Sequence, residues 1–146
     1  MTEQLDLHTN GLLHQMPKAV ITFLRYHLPF LAYAALILMV SSVPNLHSPE
    51  LRFIAFDKVA HLVEYGLFTL LAIRSLRNLM GTNRPGSAYG ATLAILIVFA
   101  LLDEWIQSFV PGRFADTADY LTDLLAGISV VAIHWLIMKR IQSVSN

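Results

Sequence analysis

Asp57, His61 and Tyr65 recur every four residues in an otherwise apolar stretch. On a helix they share one face, where a carboxylate can orient an imidazole for proton transfer. Asp103, Glu104 and Gln107 close a second apolar run, and Asp116, Asp119 and Asp123 lead into a third at helical spacing. Histidine beside several carboxylates is the usual material of general acid–base chemistry. The same spacing also suits a plainer arrangement, with Asp57 capping its helix and His61 packed and hydrogen-bonded, and the residues alone leave both open. The chain has no cysteine. Disulfides, thiolate nucleophiles and sulfur-ligated metals are therefore excluded, and no residue stands out as a covalent nucleophile.

Glu64 follows His61 by less than one helical turn, about 10 Å along the axis from Asp57. Together the acids Asp57, Glu64, Asp103, Glu104, Asp116, Asp119 and Asp123 outnumber Lys58, His61 and Arg113. Partly desolvated carboxylates at that density must share protons or attract a cation. No cofactor is indicated with certainty. Oxygen donors leave a divalent cation such as magnesium, calcium or manganese open, in preference to zinc. Arg113 is the strong cation of the loop Pro111 to Asp119, and its planar fork suits either an internal aspartate or an anionic ligand.

These side chains sit at the ends of segments that belong in a bilayer. Of 146 residues, 55% are hydrophobic and 14% charged, and the mean hydropathy is +0.57. That balance lies outside the globular norm. A span needs about 20 residues at 1.5 Å rise, so the shorter runs cross only by taking their acidic leaders into the membrane. The expected spans are about 26–43, 57–76, 88–110 and 118–138. The fold class expected is therefore all-α, a polytopic membrane four-helix bundle over 19–141, between a flexible tail 1–18 and a short tail 142–146.

Lys18, Arg25, Arg74, Arg77, Arg84, Lys139 and Arg140 fall on one side of such a bundle, and Arg52, Lys58 and Arg113 on the other. The positive-inside rule then puts both termini in the cytoplasm of a plasma or inner-membrane protein, with the acidic cluster facing outward. The bilayer is one expected partner. A formal net charge of zero gives nucleic acid no electrostatic footprint.

Three separated motifs carry a family resemblance: Asp57-Lys58-Val-Ala-His61-Leu-Val-Glu-Tyr65, Asp103-Glu104-Trp-Ile-Gln107-Ser-Phe-Val-Pro111-Gly112-Arg113, and Asp119-Tyr-Leu-Thr-Asp123-Leu-Leu-Ala-Gly127. The chain resembles the VanZ-like family of small integral membrane proteins, whose name-giving members are associated with teicoplanin resistance. The resemblance implies roles for Asp57, His61, Tyr65, Glu104, Gln107, Pro111, Arg113, Asp119 and Gly127. It also shows a departure, since Asp123 stands where the family usually has asparagine. An aspartate imitates an amide donor only when protonated. For Gly127, one turn later, close helix packing is the expected role.

The expected function is an outward polar pocket that binds or acts on an envelope component, such as a lipid-linked or anionic glycan precursor. If it acts, hydrolysis or group transfer is the natural chemistry. Asp57, His61 and Glu104 are the candidate catalytic residues; Tyr65, Gln107, Arg113, Asp119 and Asp123 are the candidate substrate contacts. Two rivals use the same residues. In a proton- or cation-coupled transporter component the acids line a path, and in a noncatalytic membrane partner they fix helix register.

Overall fold

The computed structural model describes residues 17–44, 54–81, 85–113 and 115–144, without the side chains of 54–57 and of Pro85. The tail 1–16, the loop around His47 and Arg52, Arg84 and the Asp57 side chain thus lie outside the described residues. Among the described residues, four helices are long and apolar enough to cross a membrane. They are α1 (Lys18–Ser41), α2 (Ile54–Met80), α3 (Pro85–Gln107) and α4 (Thr117–Val144).

Each boundary has a local cause. Helix α1 begins ahead of the expected start at Tyr26 and runs through Pro29 by widening into a π turn at Phe23–His27. Proline has no N–H, and its ring crowds the carbonyl four residues back, so one wide turn lets the helix continue. Helix α2 passes Leu76 and stops at Gly81, whose φ of 77° is the left-handed conformation that closes a helix at low cost to glycine. Helix α3 ends at Gln107 because Pro111 cannot continue it. Helix α4 extends past Met138 to Val144, where Lys139 lies over the Trp135 ring at 5.2 Å as its stem runs along the apolar surface.

Packing is uneven. Helix α2 is central and packs chiefly against α4, then α3, while α1 lies to one side and fully buries only Ile37 and Ser41. The core contains Ile37, Tyr65, Phe68, Leu96, Ala100 and Ala126. Within it, Phe68 and Phe99 stack at 4.5 Å between centroids, and Phe30 meets Phe68 at 5.3 Å. Gly127 makes the close approach possible: a Cβ there would lie 2.3 Å from Leu96 Cδ2 and 2.8 Å from Thr69 Oγ1. Outside this core, Leu31, Met39, Val63, Leu70, Val98, Trp105, Leu125 and Ile133 are exposed. Such broad apolar exposure suits hydrocarbon as solvent, and the helices satisfy their backbone groups internally as a bilayer demands.

Candidate functional site

The polar groups meet at one end of the bundle, built from the start of α2, the end of α3 and the start of α4. His61 is buried, and its Nδ1 lies 2.9 Å from Asp123 Oδ1. A carboxylate oxygen only accepts, so an ionised Asp123 places the hydrogen on Nδ1 and makes Nε2 the basic nitrogen of the neutral ring. Nε2 faces Asp119, with Oδ1 at 3.8 Å. Lys58, one turn before His61, pairs with Asp119 and reaches Asp116 at 3.4 Å. The His61 ring stacks 12° from parallel with that of Tyr65, as their spacing on α2 requires.

Tyr65 continues the cluster. Its hydroxyl donates to Asp103 Oδ2 at 3.0 Å, and Gln107 donates to the same oxygen from 3.3 Å. Asp103 is 1% exposed, so the i, i+4 pair Asp103 and Gln107 on α3 faces inward and not toward lipid. Glu104 turns toward α4, where Oε2 accepts the Asp116 N–H at 2.8 Å. Glu64 is half-buried and lines a cavity between α1 and α2.

The loop between α3 and α4 folds as its sequence directs. The Arg113 N–H returns to the Val110 carbonyl at 3.1 Å, with Pro111 second in the turn and Gly112 third at a φ of 79°. Asp116 then caps α4 through the Ala118 N–H at 2.8 Å. That bond, together with Lys58, holds the Asp116 carboxyl below the usual carboxylate range. Among the described residues Arg113 joins no aspartate. Its Nη2 donates to the Val40 carbonyl at 3.0 Å and its Nε to that of Val43 at 3.4 Å. The Val40 carbonyl also accepts the Val43 N–H at 3.1 Å, so the guanidinium adds a second donor at the end of α1 and meets the negative end of its dipole.

Three buried oxygens at this end have no hydrogen-bond partner among the described residues: Asp103 Oδ1, Glu104 Oε1 and Asp123 Oδ2. Each belongs to a carboxylate whose other oxygen is engaged. No set of three or more histidine, aspartate or glutamate side chains among the described residues is arranged to hold a metal ion. The divalent cation left open by composition therefore gains no ligand set. Two cavities flank the cluster. One of about 410 Å³ lies between α1 and α2, lined by Tyr33, Leu36, Val40, Val59, Val63 and Glu64. The other, about 260 Å³, is lined by Leu101, Glu104, Ala115, Asp116, Thr117 and Tyr120.

Of the residues singled out from sequence, the structure joins His61 directly to Asp119 and Asp123, and Tyr65 to Gln107 through Asp103. Glu104 reaches the α4 cap through its backbone contact, and Arg113 is drawn to α1. Asp123 lies beside the imidazole, while the Asp57 side chain, expected there as well, lies outside the described residues. Asp103 and Lys58 were part of the acidic and basic inventory, but their contacts place them at the centre. The inward pairing of Asp103 with Gln107 was readable from their spacing; the Lys58 pair crosses between helices and left no local trace.

The profile of the VanZ/LLP1 family matches residues 8–138. The chain belongs to that family. No curated protein and no solved structure gave a match. The match takes in α1 to α3 and α4 as far as Met138, and so the whole polar end of the bundle with His61, Tyr65, Glu104, Gln107, Arg113 and Asp119.

Proposed function

We propose that the polar end of this VanZ/LLP1-family membrane protein is a pocket for an envelope component of the lipid-linked or anionic glycan class, opening on the outer side of the plasma or inner membrane. The observation that carries the reading is the set of buried, half-engaged carboxylates, Asp103, Glu104 and Asp123. Buried acceptors are normally satisfied, and the hydroxyls of a glycan are donors of the right kind. The apolar groove beside Glu64 offers room for a lipid chain next to them. Lys58 and Arg113 supply positive charge for a diphosphate.

If the bound molecule is turned over, His61 Nε2 accepts the proton of an attacking water or hydroxyl, and Asp123 stabilises the imidazolium that forms. Glu104 is the second acid, Tyr65 and Gln107 position Asp103, and Asp57 contributes from the first turn of α2. A through-path is the weaker reading. The Phe68–Phe99 stack and Leu96 lie in the core next to Tyr65, and the buried polar side chains described beyond it, Thr69, Thr92 and Ser75, are uncharged hydroxyls with no carboxylate among them.

Purified protein in lipid nanodiscs is expected to retain a polyprenyl-diphosphate-linked disaccharide. His61→Ala and Glu104→Gln should each weaken retention or turnover at least tenfold while helix content stays at the wild-type level. Unchanged behaviour in both variants rejects the pocket, and proteoliposome ion flux that depends on Glu64 or Asp103 replaces it with transport. The sidedness has its own test in this cysteine-free chain. Ser108→Cys should react with an impermeant maleimide on intact cells, and Ser143→Cys only after permeabilisation.

A further inference from the structure

At the opposite end of the bundle a cavity of about 470 Å³ is lined by Tyr26, Leu70, Ile73, Arg74, Arg77, Asn78 and His134. Its polar wall is organised. The Arg74 guanidinium lies over the Tyr26 ring at 5.2 Å, and His134 Nδ1 is 2.8 Å from the Tyr89 hydroxyl. On the neighbouring helix pair, His27 Nδ1 is 2.7 Å from Ser75 Oγ, which fixes α1 against α2 beside the cavity. The lower wall, Leu70 and Ile73, is apolar.

The charge here is one-sided. The described acidic side chains, Glu64, Asp103, Glu104, Asp116, Asp119 and Asp123, all belong to the other end, and no ion pair forms with Arg74 or Arg77 among the described residues. Both arginines lie in the last two turns of α2, short of its end at Met80. Two guanidinium groups at the end of a span are matched by an anion or water, and a phosphodiester offers oxygens fitted to the guanidinium fork. Asn78 and His134 add hydrogen-bonding capacity, while Leu70, exposed on the surface of α2, continues the apolar wall beyond the buried Ile73.

We propose that this cavity is a binding site for the phosphodiester headgroup of an anionic phospholipid, held by Arg74 and Arg77 with its acyl chain along the exposed Leu70. The proposal does not depend on the pocket at the other end. A basic cavity between spans is a recurring means of headgroup recognition, and each basic group near a membrane surface contributes on the order of 1 kcal/mol.

Native mass spectrometry of the purified protein exchanged into mixed phosphatidylglycerol and phosphatidylcholine is the test. Wild type should retain one phosphatidylglycerol in preference to phosphatidylcholine, and Arg74→Gln/Arg77→Gln should reduce that preference about thirtyfold. Arg74→Lys/Arg77→Lys keeps the charge without the fork and should fall between them. Equal retention of both lipids by wild type overturns the site, as does undiminished preference in the glutamine variant. Displacement of the bound lipid by inorganic phosphate at comparable concentration would assign the site to a soluble anion and overturn the lipid.

Discussion

The two ends of the bundle treat charge in opposite ways. At one, Asp103, Asp119, Asp123, Glu104 and His61 are buried and bonded across three helices; at the other, Arg74 is exposed and Arg77 half-buried beside an open cavity. Long basic side chains can reach the interface from within a span, whereas aspartate is too short to do so. The acidic end must therefore be held by protein contacts, and the basic end by solvent or headgroups. The acidic end consequently depends on helix packing, which couples its chemistry to the fold. The basic end is open to change.

The strongest way to break this contrast is at the layer joining the two ends. Gly127→Val places atoms where Leu96 and Thr69 already stand, and should destabilise the bundle by about 2–3 kcal/mol, read as a lower thermal transition in nanodiscs with loss of ligand retention at the acidic end. A variant as stable as wild type would show that α4 does not approach α2 and α3 so closely. Next in size, Tyr65→Phe removes one donor from buried Asp103 and should lower stability by about 1–2 kcal/mol, with Gln107→Leu adding less than its separate effect because both bond one oxygen. Fully additive losses in the same denaturation assay would argue against a shared acceptor.

Asp116→Ala removes the α4 cap at a cost of about 1 kcal/mol at neutral pH. Because the folded carboxyl titrates below its usual range, its contribution is complete above the unfolded pKa and fades as pH falls through the folded value. The stability gap between wild type and Asp116→Ala should thus narrow on acidification, and a gap that widens contradicts the assigned cap. Smallest of all, Arg74→Gln in phosphatidylcholine nanodiscs should alter the thermal transition by no more than about 0.5 kcal/mol equivalent, in contrast to any neutralisation at the acidic end.

Much of this organisation was legible because it is local. Hydrophobic length predicted four membrane-crossing helices, and the four-residue spacing of Asp57, His61 and Tyr65 predicted their shared helix. The glycine at 127 was expected to serve close packing, and a Cβ there meets Leu96 and Thr69. Helix ends were less legible, since the π turn before Pro29 and the run of α4 to Val144 depend on how a helix absorbs a proline or extends along an interface. The pairings between helices were hidden for a different reason. Periodicity sets Asp57 on the His61 face of one helix and Asp123 in line with Asp119 on another, but only the packing of α4 on α2 brings Asp123 to 2.9 Å from His61. The contacts His27–Ser75 and Tyr89–His134 likewise join residues far apart in sequence, with no motif around either.

The central claim is that His61 and Asp123 work as one unit within a ligand site. A double-mutant cycle of His61→Ala and Asp123→Ala measures it directly, with retention of the polyprenyl-diphosphate-linked disaccharide in nanodiscs as the readout. Each single change should weaken binding at least tenfold, and the double variant should be scarcely weaker than the worse single one. Wild-type binding in all three variants, or losses that multiply independently, would contradict the account.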